Sequence, residues 1–345
     1  MTTGEQIVIS QQITPEGLAA VRALVGDAAL TVVPMLDDGE ALPAELAAAC
    51  TVLLTDAAPA NLAAMQRLRW MQLSSAGYEH IVGLPLPEMG VTVTNASGVN
   101  DVPIAEWCLA MLLLFERDLR GLLAMQQRRG WDRLPKYQSE LRGRRVGVIG
   151  YGSIGREVAR VCSSLGLDVW AMSRSPIGPR HGHYAVAGSG DAAGVIPTRR
   201  FLFAERDTFL AGLDYLILTL PLVPATTGLI GERELRALPD HAVLLNPSRG
   251  PLIDEPAIIR ALTEGWIAGA ALDTHFQYPL PPEHPLWAMP NVVLTPHISG
   301  STGSRQFLPR LWDLFAQNLA RHLAGEPLLN VIAAADLNAG SHAGV

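Results

Sequence analysis

The sequence predicts an α/β protein with two doubly wound domains, each a parallel β-sheet covered by helices on both faces. Strand-like and helix-like patterns alternate through the first hundred residues. A strand–glycine turn–helix pattern at 144–165 opens a second series, and four further apolar runs follow it. Continuous apolar runs of this kind are typical of strands that are buried on both faces of a parallel sheet.

The first domain is predicted to comprise residues 1–103, completed by 301–335. Its clearest helix begins at Pro15 and carries Leu18, Val21 and Leu24 at helical spacing. The expected strands are 6–10, 31–34, 51–55, 70–73 and 91–95, and further helices are expected at 61–68 and 304–323.

The second domain is predicted to span residues 104–300. Its first helix is expected to run unbroken from Ile104 to about Arg128, linking the domains or lying in a subunit interface. A Gly/Pro-rich stretch at 176–200 lacks periodicity, which indicates a lid, an interface element or a surface insertion. Residues 336–345 are expected to be a disordered tail. The expected strands after the glycine turn are 168–172, 215–220, 242–246, 267–272 and 292–295.

Composition narrows the range of functions. The net charge of −7 argues against a nucleic-acid partner, and no apolar stretch is long enough to span a membrane. No signal peptide is visible at the N-terminus. The cysteines Cys50, Cys108 and Cys162 lack the spacing of a metal site, so we expect buried thiols, no metal and a cytoplasmic protein.

The pattern at 144–165 predicts a dinucleotide site. An apolar run ends in Gly150-x-Gly152-x-x-Gly155 and an amphipathic helix pattern follows at once. Gly150 permits the turn, Gly152 lets a pyrophosphate approach the backbone, and Gly155 lets the helix pack on the strand. The N–H groups at the helix start would hold the phosphates. Because a second strand follows, this pattern favours a Rossmann nucleotide site over a glycine turn without a ligand.

Several other motifs occur with it in a characteristic order. They are Ser75-Ala76-Gly77, Ala105-Glu106, Pro221-Leu222-Val223-Pro224-Ala225-Thr226, Asn246-Pro247-Ser248-Arg249-Gly250 and Thr295-Pro296-His297-Ile298-Ser299-Gly300. Together they resemble the D-isomer-specific 2-hydroxyacid dehydrogenase family, and within it the glyoxylate/hydroxypyruvate reductases, over roughly 68–323. The resemblance implies Rossmann/flavodoxin-like domains with the active site in the cleft between them. It also implies a homodimer, joined through the long helix and the arm after it.

The chemistry of such enzymes explains two of the residues. Reduction of a 2-oxo acid to a D-2-hydroxy acid needs a hydride, a proton for the carbonyl oxygen and a group that binds the carboxylate. Arg249 suits the carboxylate, because a guanidinium binds it with two parallel hydrogen bonds. His297 suits the proton transfer, because imidazole titrates near neutral pH. The expected substrate is glyoxylate, hydroxypyruvate or a bulkier 2-oxo acid.

The resemblance also implies further site residues. Backbone N–H groups of Ala76 and Gly77 would bind the substrate carboxylate, and Asn100 and Trp131 match positions near the cleft and the arm. A plain turn, a hinge asparagine and a packed indole would explain the same residues. The remaining cofactor positions implied are Ser153, Ile154, Pro221, Thr226, Pro247, Ser248, Asp273 and Gly300.

The chain departs from the family where the second cofactor strand ends. The family usually has an acidic residue there, which binds the adenosine ribose, whereas this chain reads Ser173-Arg174-Ser175. A carboxylate would repel a 2′-phosphate, and Arg174 between two hydroxyls would bind one. We therefore expect NADP(H) in preference to NAD(H), the alternative being an arginine that points to solvent.

A second departure concerns the histidine's partner. In the family pattern Asp-x-x-x-x-Glu-Pro-Leu the glutamate stabilises the charged imidazole, but here Tyr278 stands in its place while Asp273 is kept. A phenol cannot supply a full negative charge at pH 7. We expect His297 to be less basic than in relatives, and reduction to decline at a lower pH. A catalytically weakened NAD(P)H-binding scaffold or sensor, or a formate-type dehydrogenase, are the alternatives.

Overall fold

The structure, a computed structural model, describes residues 4–131, 133 and 139–338. The chain folds into two compact units. The first contains the residues up to Asn100, the short segment His181–Val186 and the chain from Thr302 onward. The second contains Asp101–Arg180 and Ala187–Ser301. The domain boundaries therefore fall three residues before the predicted 103/104 and one residue after the predicted 300/301.

The α/β class follows from the element order. The strands are β1 (Ile7–Ile9), β2 (Leu30–Val32), β3 (Val52–Thr55), β4 (Trp70–Leu73), β5 (Thr92–Thr94), β6 (Arg145–Ile149), β7 (Asp168–Ser173), β8 (Arg199–Leu202), β9 (Tyr215–Leu218), β10 (Val243–Asn246), β11 (Gly269–Leu272) and β12 (Val292–Leu294). The helices are α1 (Pro15–Val25), α2 (Ala44–Ala49), α3 (Asp101–Glu116), α4 (Leu119–Gln127), α5 (Ser153–Ser164), α6 (Arg206–Leu210), α7 (Glu232–Ala237), α8 (Glu255–Glu264), α9 (Phe307–Ala324) and α10 (Ala334–Leu337).

Both units contain a fully parallel sheet, which confirms the predicted fold class. The first unit has the strand order β2-β1-β3-β4-β5 and the second has β12-β11-β10-β9-β6-β7-β8. In the second sheet the order reverses between β6 and β9, and the glycine turn directly follows β6. Open α/β sheets bind ligands at such a switch point, outside the carboxyl ends of the strands.

The predicted continuous helix at 104–128 is wrong, because the structure has two helices there. α3 ends at Glu116, and Asp118 adopts a left-handed backbone with a φ of 44°. Its carboxylate then accepts the N–H of Gly121 at 3.1 Å and so caps α4. Aspartate favours both the left-handed conformation and the N-cap position. The apolar periodicity that continues through this region concealed the break.

Other differences arise where the local pattern is weak. The helix expected at 61–68 is only a short 3₁₀ turn at Leu62–Ala64, while α2 and β8 were not predicted. The tail predicted at 336–345 begins too early in the sequence, because Asp336 and Leu337 belong to α10. Leu337 is buried, and its carbonyl accepts the N–H of Gly83 at 2.9 Å. Residues 339–345 lie outside the described part of the chain.

The three cysteines are buried thiols, as the sequence predicted. Loss of solvation on burial raises the pKa of Cys50 and of Cys162 to about 12, and raises that of Cys108 well above its ordinary value. These thiols therefore stay protonated and unreactive near neutral pH. No helix in the described part of the chain has the length and apolarity needed to cross a membrane.

The stretch at 176–200 is not a loose surface insertion. Its middle, His181–Val186, packs into the first unit, where Tyr184 is buried. Asn330 holds it there: the backbone N–H of Asn330 donates to Gly182 O at 2.9 Å, and its side-chain Oδ1 accepts the Tyr184 N–H at 3.1 Å. The stretch then returns to the second unit.

Candidate active site

The larger sheet brings most of the predicted site residues to one edge. The loops after β12, β11 and β10 carry His297, Tyr278 and Arg249 respectively. The loop after β9 carries Pro221 and Thr226, that after β6 carries the glycine turn, and that after β7 carries Ser173–Ser175. The proton-transfer and carboxylate-binding candidates thus occupy one half of the edge, and the glycine turn and Ser173–Ser175 lie in the other half.

The glycine turn has the shape that a dinucleotide requires. Gly150 has a φ of 94°, and a side-chain Cβ there would lie 2.8 Å from the carbonyl oxygen of Thr219. A Cβ on Gly155 would lie 2.2 Å from Gly150 O, so only glycine lets α5 approach the strand. A Cβ on Gly152, by contrast, would meet no described atom within 4 Å. The space beside Gly152 is open on the side where a pyrophosphate would lie.

The start of α5 supplies donors for such a ligand. Within the described residues, no side chain caps this helix, since Gly152 occupies the N-cap position. Ser153 begins the helix and is itself held, because its hydroxyl donates to the buried carboxylate of Asp101 at 2.9 Å. Ile154 packs against the apolar core below. The first N–H groups of a helix have no acceptor within the helix itself, so the start of α5 favours an anionic ligand.

The end of β7 carries a cation and no carboxylate. Arg174 is exposed and makes no hydrogen bond or ion pair with any residue that the structure describes. The hydroxyl of Ser173 donates to the carbonyl of Ser175 at 2.5 Å, which curls the chain around Arg174. A guanidinium without an internal partner at this position is suited to bind a phosphate.

Two of the implied cofactor residues use their hydroxyls within the protein. The hydroxyl of Thr226 donates to Pro221 O at 2.8 Å and accepts the Val223 N–H at 2.9 Å, closing the loop after β9. The Ser248 hydroxyl donates to Leu218 O at 2.7 Å. Both side chains therefore shape their loops, and Pro247 beside Ser248 is buried.

The turn that carries Arg249 depends on Asn246, which sequence reasoning did not single out. Asn246 is fully buried at the end of β10, where its Oδ1 accepts the Ser248 N–H at 3.1 Å and its Nδ2 donates to Arg249 O at 2.8 Å. Gly250 allows close packing, since a Cβ there would lie 2.3 Å from His275 O. The Asn-Pro pair was the available signal, because asparagine side chains form turns of this kind.

His297 is presented by a strained turn. It is exposed, and its φ of 57° is unusual for a residue with a side chain. Its backbone N–H donates to the carbonyl oxygens of Asp273 at 2.7 Å and Thr295 at 3.0 Å. A left-handed backbone at a non-glycine residue costs about 1–2 kcal/mol, so the surrounding bonds must hold it.

The carboxylate of Asp273 supplies those bonds. It is fully buried and accepts the N–H of Ile298 at 2.9 Å, the N–H of Ser299 at 2.8 Å and the hydroxyl of Thr295 at 2.5 Å. The Thr295 hydroxyl is held in turn by the indole N–H of Trp107 at 3.1 Å. Asp273 thus fixes the turn on both sides of His297, while the cofactor contact implied for it stays a prediction. Gly300 directly follows this turn and is half-buried.

Tyr278 lies beside His297, as its motif position implied. The two ring centroids are 5.6 Å apart with planes at 52°, and the Tyr278 hydroxyl accepts the backbone N–H of His275 at 3.2 Å. Tyr278 remains 58% exposed. A phenol rather than a carboxylate therefore contacts the candidate proton donor.

His275 is a second histidine near this site that sequence reasoning missed. Its ring is buried and its Nε2 lies 2.8 Å from Thr295 O, so this nitrogen carries the proton and donates. Its Nδ1 is buried and has no partner among the residues that the structure describes. Its ring centroid is 6.2 Å from that of Tyr278.

The predicted substrate residues of the first unit lie in two neighbouring loops. Ala76 and Gly77 follow β4, where the Asn95 side chain donates to Ala76 O at 2.7 Å and the Ser75 hydroxyl donates to Gly77 O at 3.1 Å. Their carbonyls are therefore engaged from inside the unit. Asn100 follows β5, and its Oδ1 is buried without a partner among the described residues.

The sequence matches a known family over the region that carries this edge. Residues 109–299, more than half of the chain, match the family described as "D-isomer specific 2-hydroxyacid dehydrogenase, NAD binding domain". The chain belongs to the D-isomer specific 2-hydroxyacid dehydrogenase family. It is therefore an oxidoreductase of the NAD(P)-dependent class that acts on the CH–OH group of 2-hydroxy acids. This confirms the family that the motifs predicted.

Individual relatives agree with this assignment. A glyoxylate reductase from Thermofilum pendens is 35% identical over 280 residues, 79% of this chain and 78% of that protein. A D-3-phosphoglycerate dehydrogenase from Archaeoglobus fulgidus is 30% identical over 269 residues, 78% of this chain but 48% of that protein. The fold is similar to the crystal structure of a D-isomer specific 2-hydroxyacid dehydrogenase from Xanthobacter autotrophicus in complex with NADPH and MES. The TM-score is 0.76 at 27% identity, covering 95% of this chain and 98% of the other.

The bonds that Asp273 makes predict what happens when its carboxylate is replaced by an amide. Asp273→Asn should lower kcat about a hundredfold, because one N–H of the 298–299 turn would face an amide and His297 would shift. The dissociation constant for the reduced cofactor should change less than about twofold. Steady-state kinetics at saturating cofactor and fluorescence titration measure the two quantities.

Asp254→Asn is the matched control, because Asp254 also accepts a backbone N–H, that of Ala257 at 2.8 Å, at the start of α8. It should keep kcat. If Asp273→Asn instead weakened cofactor binding and kept kcat at saturation, the cofactor contact predicted from the sequence would be correct.

Proposed function

We propose that this protein reduces a 2-oxo acid of the glyoxylate or hydroxypyruvate type, or a bulkier one, to the D-2-hydroxy acid with NADPH. The observation that carries the proposal is the shared sheet edge, where Arg249 and His297 follow β10 and β12 and the glycine turn follows β6. A carboxylate-binding cation, a proton donor and a nucleotide site are the parts that this reaction needs.

Each side chain has a distinct task in the proposed reaction. The Arg249 guanidinium binds the substrate carboxylate and polarises the neighbouring carbonyl. The protonated imidazole of His297 gives its proton to the carbonyl oxygen as that oxygen becomes an alcohol. The bound nicotinamide supplies the hydride. Backbone N–H groups of Ala76 and Gly77 are proposed as further carboxylate donors, since the side-chain bonds that hold their loop use only the carbonyl oxygens of these residues.

The preference for NADPH rests on the end of β7. Arg174 is an exposed guanidinium with serines on both sides, at the place where the ribose 2′ position is normally recognised. The Xanthobacter autotrophicus protein was solved with NADPH, which is consistent with this preference. The proposed substrate class follows the Thermofilum pendens relative, which is a glyoxylate reductase.

A homodimer in the cytoplasm is part of the proposal. α4 has no buried residue, and Leu123 on α4 and Trp131 in the arm are 60% and 89% exposed. Large apolar side chains that are exposed in one chain are typical of a subunit interface. A second copy of the chain would cover them.

One alternative has an observation in its favour. Tyr278 contacts His297 where a carboxylate would stabilise the imidazolium, so the protein could bind NAD(P)H as a catalytically weak sensor. A formate-type dehydrogenase would also tolerate a neutral residue at this position. The pairing of Arg249 with His297 on one edge favours the reductase, because a sensor needs neither.

The proposed reaction requires the guanidinium of Arg249, which can form two parallel hydrogen bonds to the substrate carboxylate. The wild-type protein should oxidise NADPH with at least one member of a panel of 2-oxo acids. Arg249→Lys should lower kcat/KM for that acid about a hundredfold, because lysine keeps the charge but loses the two parallel hydrogen bonds. NADPH binding should be retained. Absence of any turnover above background, with tight NADPH binding, would support the sensor.

The proposed cofactor preference predicts the effect of removing one charge. Arg174→Ala should raise the KM for NADPH about tenfold and leave the KM for NADH unchanged, because only NADPH carries the 2′-phosphate. Arg67→Ala, at another exposed arginine, is the control and should change neither value. Equal KM changes for both cofactors would contradict a 2′-phosphate contact.

The contact between Tyr278 and His297 predicts a shift in the pH profile. Tyr278→Glu should raise the pKa of His297, because a carboxylate stabilises the imidazolium. Reduction needs that form, so the decline of kcat/KM with rising pH should move upward by about one unit. Tyr278→Phe keeps the ring without the hydroxyl and should leave the profile near that of the wild type. Identical profiles for Tyr278→Glu and wild type would show that residue 278 does not set this pKa.

A further inference from the structure

The residue between the first two glycines of the turn is a buried tyrosine. Tyr151 is 7% exposed, and its hydroxyl donates to Asp191 Oδ2 at 2.7 Å. Burial and the neighbouring carboxylate raise the pKa of Tyr151, so the phenol remains a hydrogen-bond donor. The backbone on which a pyrophosphate would rest is thus tied by a side chain to a residue 40 positions away.

Asp191 belongs to the long stretch between β7 and β8. It is 6% exposed, and its carboxylate also accepts the N–H groups of Val195 and Ile196, both at 3.0 Å. These bonds and the Tyr151 hydroxyl keep the pKa of Asp191 below its usual value, against the effect of burial. Asp191 therefore stays charged and holds its own loop and the glycine turn at once.

Arg156 makes a second connection from the first turn of α5. Its guanidinium lies over the Tyr151 ring at 5.0 Å, donates to the main-chain carbonyl of Asp191 and donates to Gly178 O at 2.7 Å. The next residue, Glu157, accepts the Gly190 N–H at 2.5 Å and is also buried. Desolvation lowers the pKa of Arg156, yet it remains charged at neutral pH.

We propose that Tyr151, Arg156, Glu157 and Asp191, here termed the turn clamp, position the glycine turn for the cofactor pyrophosphate. A turn with three glycines can adopt many backbone conformations unless other residues hold it. Cofactor binding would then have to restrict those conformations, which would weaken affinity. The clamp restricts it in advance. The stretch that carries Asp191 also begins at Ser173–Ser175, so one segment carries one candidate nucleotide-binding loop and is bonded to the other.

The proposal rests on dinucleotide binding by this family and not on the proposed preference for NADPH. It also does not require that any particular 2-oxo acid is reduced. Binding of NADPH and of NADH, measured separately by fluorescence titration, is therefore the primary readout. Thermal unfolding and kcat at saturating cofactor are measured beside it.

Tyr151→Phe removes one hydroxyl and keeps the ring under Arg156. We expect the dissociation constants for NADPH and NADH to rise about tenfold, while kcat at saturating cofactor and the KM for the 2-oxo acid stay within about twofold. Asp191→Asn should have the same pattern with a larger effect, because an amide cannot accept all three hydrogen bonds. If Asp191→Asn does not fold, Tyr151→Phe alone decides.

Tyr215→Phe is the matched control. Tyr215 is also a buried phenol that donates to a buried carboxylate, that of Glu116, but it lies at the first residue of β9, the opposite end of the strands from the glycine turn. Tyr215→Phe should lower the melting temperature by about as much as Tyr151→Phe does. It should leave the dissociation constants for NADPH and NADH unchanged. Equal cofactor affinity in Tyr151→Phe and Tyr215→Phe would overturn the clamp. Loss of cofactor affinity in a protein that reduces no 2-oxo acid would support the clamp and contradict the proposed reaction.

Discussion

The seven strands of the larger sheet all run in one direction, so their carboxyl ends meet along a single edge. A parallel strand must be followed by a crossover, and each crossover begins with a loop at that edge. The strand order therefore decides which loops are neighbours, whatever their distance in sequence. Arg249 and His297 stand two strands apart on this edge because β11 lies between β10 and β12.

Each of these two side chains depends on a buried polar residue at the end of a strand. Asn246 holds the turn of Arg249 with its amide, and Asp273 holds the turn of His297 with its carboxylate. In both cases a side chain supplies hydrogen bonds to backbone groups that no longer pair with a neighbouring strand, because the strand has ended. The geometry of the edge thus depends on polar side chains that are fully buried in the interior.

Sequence patterns predicted the fold that the structure shows, and they supplied the candidate site residues, because both have strong local signals. Parallel strands are continuous apolar runs, and glycine spacing marks the nucleotide turn. The break at Asp118 was missed because its cause, one aspartate in a left-handed backbone, leaves the apolar periodicity intact. Asp191 and His275 were missed for a different reason. Their roles depend on contacts with Tyr151 and Thr295, which only the folded chain brings near.

The stretch after β7 enters the first unit at His181 and leaves it after Val186. The chain therefore passes between the units at four places rather than two, so the first unit is built from three segments of sequence and the second from two. A gene fragment encoding 101–301 alone would leave Tyr184 without the Asn330 and Gly98 surroundings that bury it. For domain exchange with other members of the family, the natural module is the nucleotide-binding unit together with the part of the first unit that receives this stretch.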